Sequence, residues 1–259
     1  MLRWAIQTNL GKASDIQSLV KSCRELHLPY VELEHIPFSQ VLPDLEWESP
    51  IVFYGATDFV TAIATDGRWS PGVYFDEVKF EFSTCLSRLG SRLLNSQAQV
   101  TTLRALQSDV RSDETEVFLR PTGDTKEFAG NVFTFREIKD WLRNIRGEDM
   151  TLSLDCPVLV SEPFGLAFEW RVFIVNGVAV TGSQYRRYHR LDIESGLPPG
   201  VVAFAEECAE LYSPAEVFVM DVARSGESLY IVEYNCFNSS GFYASDVSQI
   251  VSAIETLSR

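Results

Sequence analysis

Apolar runs alternate with amphipathic stretches over the first ninety positions. RWAIQTN, PYVELEHI and IVFYGAT read as short strands, and the segment from Ser14 to Leu26 carries apolar residues at helical spacing, with Ser14 placed to cap it. Strand and helix in alternation predict a small parallel α/β layer. GRWSPG at 67–72 has loop chemistry, and FSTCLSRL at 82–89 predicts a helix that ends before Gly90. A second region opens at 90–96. Its pattern predicts a helix from Asn95 or Ser96 through Leu106. After the polar SDVRSDETE come a strand VFLRP at 117–121, a loop TGDTKEF, a strand GNVFTF, a helix through Ile138, Trp141 and Leu142, and a strand in PVLVSEPF at 157–164.

Two hairpins follow. In EWRVFIVNGVAVTGSQYR, Asn176-Gly177 specifies a type I′ turn that sets Val175 opposite Val178. Extending that register pairs Arg171 with Gly182 and Glu169 with Gln184, so Glu169, Arg171, Gln184 and Arg186 share one face. After a helical segment at 201–211, VFVMDVARSGESLYIVEYN turns around 225–228. A two- or three-residue loop there places Asp221 opposite Glu233 or one residue off. Glu233 and Asn235 are two residues apart in an apolar strand and therefore project together. Two carboxylates opposed across a hairpin repel, and desolvation beside Val219 and Ile231 adds to the cost. A divalent cation resolves this, since Asp221, Glu233 and Asn235 are all hard oxygen donors of the kind that holds Mg²⁺. The same letters also suit an edge strand whose polar groups face water.

Composition narrows the picture. The chain has 259 residues, 46% hydrophobic and 22% charged, enough for one large domain or two modest ones with a proper core. Its five cysteines are scattered and include no C-x-x-C pair, which fits neither a zinc site nor a disulfide framework and points to reduced thiols in a cytoplasmic protein. No apolar run approaches the roughly 18–20 residues of a membrane span. A net charge of −14 opposes nonspecific binding to nucleic acid. Within that acidic chain, RRYHR at 186–190 concentrates three arginines and one of three histidines, as a solvated loop or an anion clamp.

The pattern D-V-A-x(7)-I-V-E-Y-N resembles the C-terminal metal-binding signature of the ATP-grasp superfamily, in which an Asp on one strand and a Glu-x-Asn on the next hold the magnesium ions of ATP. Upstream, VFLRP resembles the strand that usually ends in Lys-Pro, and VLVSEPFGLAFEWRVFIVNGVAV is similar to the hinge strand and core hairpin of that fold. The likeness covers about 95–259. Arg120 stands where most members have a lysine, and the glycine-rich loop is reduced to TGDTKEFAG with Lys126, a combination that resembles a bacterial and phage clade marked by arginine there. Arginine still suits a phosphate, because its planar fork binds oxyanions bidentately.

The resemblance implies an α/β (α+β) ATP-grasp fold: two α+β lobes gripping ATP, at 93–259, with a lid near 93–160 and a core near 161–259. A small Rossmann-like α/β domain at 1–92 precedes them. It implies that Arg120 and Lys126 contact phosphates, that Val160 and Glu162 form the adenine hinge, and that Glu169 binds ribose. Arg171, Arg186 and Arg187 would serve the γ-phosphate or an acidic substrate, and Asp221, Glu233 and Asn235 one or two Mg²⁺ ions, with Mn²⁺ as a substitute. Gly55, Asn238 and Ser239 are candidates for the substrate pocket, and His189 for proton transfer. The implied activity is a cytoplasmic, ADP-forming carboxylate–amine ligase working through an acylphosphate. Its substrates would be small-molecule, peptide or protein acids and amines, with no nucleic acid or membrane partner, and a homodimer is compatible. The alternatives are an ATP-grasp phosphotransferase and an inactive nucleotide-binding module.

Overall fold

The computed structural model describes residues 1–9, 12–37, 39, 41–45, 50–122, 128–144 and 152–257. Contacts divide the chain into two compact units, Met1–Phe80 with Leu166–Arg259, and Glu81–Gly165.

The first unit begins with the expected parallel layer. It consists of β1 (Arg3–Gln7), α1 (Ala13–Glu25), β2 (Tyr30–Leu33), β3 (Ile51–Tyr54), α2 (Thr57–Asp66), β4 (Pro71–Gly72) and α3 (Glu77–Phe80). The strands lie in the order β2-β1-β3-β4 and every pairing is parallel. Ser14 does not cap α1. The helix starts one residue earlier, and Lys12 takes the N-cap position without a side-chain bond.

The second unit contains α4 (Phe82–Leu89), β5 (Gln99–Thr102), α5 (Leu103–Leu106), β6 (Glu116–Pro121), β7 (Asn131–Thr134), α6 (Phe135–Asn144) and β8 (Pro157–Ser161). Its antiparallel sheet has the order β5-β8-β6-β7. Phe135, Ile138 and Leu142 of α6 bury one helical face against Val117, Leu119, Val158 and Val160. The long helix expected from 95 to 106 is absent. Val100, Thr101 and Thr102 are β-branched and pair with β8, leaving one helical turn whose cap is Thr102, with Oγ1 accepting from the Ala105 N–H at 3.2 Å.

The chain then returns to the first unit. Here β9 (Phe168–Val175), β10 (Val178–Arg187), β11 (Arg190–Ser195), β12 (Val217–Ser225) and β13 (Ser228–Cys236) form an antiparallel sheet of order β11-β10-β9-β12-β13, with α7 (Pro199–Leu211) and α8 (Val247–Leu257). Asn176 and Gly177 have positive φ, as a type I′ turn requires. Tyr188 and His189 do too, so RRYHR is the tip of a second tight hairpin in which Arg187 faces Arg190. One sheet face is apolar toward the end formed by Phe173, Val175, Val217 and Val219. These pack with Trp4 and Ile6 of β1, Leu19 of α1 and Ile250, Val251 and Ile254 of α8 in one core. All five cysteines are buried free thiols, and no described helix is long and apolar enough to cross a membrane.

Candidate functional site

Beyond that apolar end, the same face turns polar, and β-bulges decide which side chains meet there. β10 carries an extra residue between Ala179 and Thr181 and another between Gln184 and Arg186. Arg171 therefore faces Ser183 and not Gly182, and Glu169 faces Arg186 and not Gln184. A one-residue slip sends a side chain to the opposite face. Gln184 accordingly opposes Trp170, and its Nε2 donates to Asp192 at 3.2 Å. On β13, Ser225 faces Ser228, and a regular ladder from that turn would set Asp221 against Val232. A bulge beside Val222 brings Glu233 there instead.

Gly182 keeps this arrangement close-packed. A Cβ there would collide with the backbone oxygen of Arg171 and lie 2.8 Å from the Leu197 side chain. Gly182→Ala is expected to destabilise the protein by about 1–3 kcal/mol, measured by urea unfolding.

Arg171 anchors the site. Its Nε donates to Asp221 Oδ1 at 2.9 Å and its Nη2 to Asp221 Oδ2 at 2.8 Å, while Nη1 donates to the Gly241 carbonyl at 3.2 Å. The side chains are 12% and 3% exposed, so this bidentate pair is largely out of water. Tyr185 and Tyr243 stack at 5.0 Å, and the guanidinium lies over both rings, 5.8 and 5.1 Å from their centroids. Burial and the neighbouring carboxylates push the Tyr185 phenol well up.

Glu233 and Asn235 complete the polar end. Asn235 Nδ2 donates to Asp221 Oδ2 and to Glu233 Oε1, both at 3.3 Å. The amide N–H₂ thus lies near both carboxylates, and rotating the amide by half a turn would present its oxygen to them. Two carboxylates and a carboxamide oxygen form a hard, oxygen-only donor set that fits Mg²⁺ and offers nothing to a soft metal. Among the described residues no group of three or more His, Cys, Asp or Glu could hold a metal ion; this set supplies two, plus the amide.

Glu169 is buried, with Oε2 accepting from the Tyr185 hydroxyl at 2.9 Å and Arg186 Nη1 3.7 Å away, whereas Oε1 has no hydrogen-bond partner among the described residues. Desolvation raises its pKa; the Asp221 charge adds to this, and Tyr185, Arg186 and His189 oppose it. A carboxyl whose folded pKa is raised stabilises the fold below its ordinary 4.5 and loses that contribution as pH rises through the folded value. The stability gap between the parent and Glu169→Gln is therefore expected to shift against the parent from about pH 4.5 upward, as read by thermal melts across pH.

The other expected site residues are dispersed. Gly55 and Ser239 line a cavity of about 240 Å³ together with Arg171. Asn238 does not line it and is fully buried, its Oδ1 accepting from the Tyr74 N–H at 2.8 Å and its Nδ2 donating to the Phe53 carbonyl at 2.5 Å. That is the bonding of a structural staple. Arg186, Arg187 and His189 are exposed, with Arg187 over the Phe168 ring at 5.5 Å. In the second unit, Arg120 lies over the Phe82 ring at 5.4 Å and Glu162 is exposed just past β8. Val160 is 2% exposed and paired on both sides, with Gln99 and Leu119, so its side chain is closed to a nucleotide. Lys126 lies outside the described residues. Lys12, Asp15 and Tyr243, which line the same cavity, and Tyr185 were not legible as site residues; Tyr185 reaches the polar face only through a bulge that the letters do not announce.

A family profile described as an ATP-grasp domain, family 3 of its clade, matches residues 36–254. The chain belongs to this ATP-grasp family. Its fold is similar to that of solved ATP-grasp structures. D-cycloserine synthetase DcsG aligns over 100% of both chains with a TM-score of 0.66 and 12% identity. An ATP-grasp RimK domain protein from Sphaerobacter thermophilus covers 98% of this chain and 99% of its own, with a TM-score of 0.63 and 14% identity. D-alanine–D-alanine ligase from Bacillus anthracis covers 99% and 97%, at 0.59 and 11%. No curated protein matches the sequence.

Proposed function

We propose that this ATP-grasp protein is an ATP-dependent carboxylate–amine ligase that forms ADP through an acylphosphate. The observation that carries the reading is the polar end of the core sheet. There a β-bulge opposes Asp221 to Glu233 with Asn235 between them, in a chain of this family. A bulge that brings two carboxylates together costs stability unless cations answer them; Arg171 answers Asp221, and a metal ion beside Asn235 would answer both.

In this reading Asp221, Glu233 and Asn235 hold one or two Mg²⁺ ions, which Mn²⁺ could replace. Bound there, the metal would neutralise charge developing on the phosphates. Glu169, through the oxygen that has no partner, accepts a hydrogen bond from a ribose hydroxyl. Arg171, held in one orientation by Asp221, presents its remaining N–H groups to the γ-phosphate, and Arg186 and Arg187 neutralise charge on phosphate or acid. Arg120 and Lys126 take phosphate oxygens, and the Val160 backbone with Glu162 receives adenine. A carboxylate oxygen of the acid attacks the γ-phosphorus as the bond to the β-phosphate oxygen breaks, releasing ADP. The amine then attacks the acyl carbon, and phosphate leaves with the electrons of the C–O bond while the amine loses a proton. The same reading assigns 1–92 to a domain that helps bind the acid, 93–160 to the lid and 161–259 to the core. The peptide-bound structures of the ATP-grasp ligase PsnB support keeping peptide acids among the substrates to be tried.

Incubation with ATP, Mg²⁺ and a panel of acids and amines, with products read by mass spectrometry, tests the proposal. Amide, ADP and phosphate in equal amounts are expected. A stable phosphorylated acid without amide would replace the ligase by a phosphotransferase, and untouched ATP with every pair would leave the inactive module.

A further inference from the structure

The strand order of the parallel layer leaves β2 at one margin, and among the described residues no strand pairs with its outer side. The ladder with β1 fixes which backbone groups stay open there. Trp4 N–H donates to the Pro29 carbonyl and Thr8 N–H to the Leu33 carbonyl, so the odd-numbered residues of this stretch turn toward β1. Successive residues of a strand turn their backbone groups to alternate sides, and Tyr30 and Glu32 therefore aim both N–H and C=O outward. Neither a proline nor a bulge interrupts Tyr30–Leu33, although these are the usual guards of an open edge.

Beside that edge lies an open groove of about 600 Å³, lined by Ile16, Val20, Lys21, Arg24 and Glu25 of α1 and by Glu32 of β2. Its charges are two cations and two anions. A ligand of one sign would leave half of them unanswered, whereas a surface that carries both signs in equal number can match its own copy about a two-fold axis. The pairs that the groove makes alone are loose: Arg24 Nη2 is 3.9 Å from Glu32 and Lys21 Nζ is 3.7 Å from Glu25, with all four side chains well exposed. Arg24 is nevertheless held in place, its guanidinium over the Tyr30 ring at 5.6 Å and its Nε donating to the Tyr30 hydroxyl at 2.6 Å.

We infer that this margin is the interface for a second copy of the chain, the two β2 strands pairing antiparallel about a two-fold axis and joining the two parallel layers into one continuous sheet. The register follows from the open backbone groups. Val31 sits on the axis, and Tyr30 of each copy opposes Glu32 of the other, exchanging both backbone bonds at a Cα separation of about 5.5 Å. Every outward N–H and C=O of residues 30 and 32 is then answered. Because Arg24 lies over the Tyr30 ring, the Glu32 that arrives opposite that ring comes within reach of its guanidinium, and each Arg24 serves one glutamate from each copy. An unrelated peptide added to the same edge would make the backbone bonds without bringing that charge. The contact is small, short of the roughly 20–30 residues a side of a standard interface, so the dimer is expected to be weak, with a Kd of about 1–100 µM.

Sedimentation equilibrium of the full chain over concentrations from about 1 to 200 µM, bracketing that Kd, is the test. The parent is expected to pass from 29.2 kDa toward twice that mass as concentration rises. Glu32→Pro removes only an outward N–H and leaves the β1 ladder intact, so the variant should stay monomeric throughout while melting close to the parent in dilute solution. Arg24→Glu should weaken the dimer about tenfold or more, and adding Glu32→Arg should restore it with the signs exchanged; this pair of variants decides the matter if Glu32→Pro does not fold. A parent that is monomeric at every concentration, a dimer that a folded Glu32→Pro leaves unchanged, or a double variant no tighter than Arg24→Glu overturns the inference.

Discussion

Glu233→Gln is expected to cut Mg²⁺-dependent ATP turnover by at least about 100-fold while leaving the protein as stable as the parent or slightly more so. The two effects have one cause. Glu233 faces Asp221 directly across the β12–β13 ladder, and like charges so placed cost about 0.2–1 kcal/mol. Glutamine removes that repulsion and keeps an oxygen for the Asn235 amide, which donates to Glu233 Oε1 at 3.3 Å. What is lost is one of two carboxylates in the metal set. ADP release and thermal melting, measured on the same preparation, check both halves. A variant that lost activity only in proportion to lost stability would make Glu233 a structural residue.

Asp221→Ala should behave differently and lose about 3–5 kcal/mol of stability. Arg171 is 12% exposed and donates two hydrogen bonds to that carboxylate, so truncation leaves a guanidinium buried beside Tyr185 and Tyr243 with its main partner gone. Replacing both partners by apolar groups, as in Asp221→Leu with Arg171→Met, is expected to recover most of the loss, since the pair's desolvation cost disappears with it. Neither protein should use ATP. Urea unfolding of both single variants and the double variant measures the coupling directly, and a double variant no more stable than Asp221→Ala would refute the buried-pair account.

These outcomes depend on features that differ in how far the letters reveal them. Asn176-Gly177 sets the pairing beside its turn, and the short loop at 225–228 brings the Asp and the Glu-x-Asn close to register. Those are local rules, and the structure follows them. Farther from the turn, the bulges of β10 move Gln184 off the site face and bring in Tyr185. An inserted residue answers to the twist of the whole sheet and leaves no mark in composition. The segment before Leu106 shows the same limit. Leu103 and Leu106 suit a helix, yet the preceding QVTT pairs with a strand about sixty residues away, a contact that no local window contains. Asn238 stands among the polar letters after the metal strand, but its amide holds Phe53 and Tyr74 in place. Lys12 and Asp15 look like ordinary first-turn residues until the fold brings them to the cavity that Gly55 and Arg171 also line.

In the proposed reading, the bulged end of the core sheet binds the metal of a metal–nucleotide complex. Titrating the purified protein with a nonhydrolysable ATP analogue, with and without Mg²⁺, and repeating this with the Asp221→Asn, Glu233→Gln double variant tests it most directly. Binding that needs Mg²⁺ and is lost in a folded double variant is the predicted result. Binding that is indifferent to Mg²⁺, or that survives unchanged in the variant, would contradict the assignment of Asp221, Glu233 and Asn235 to the metal.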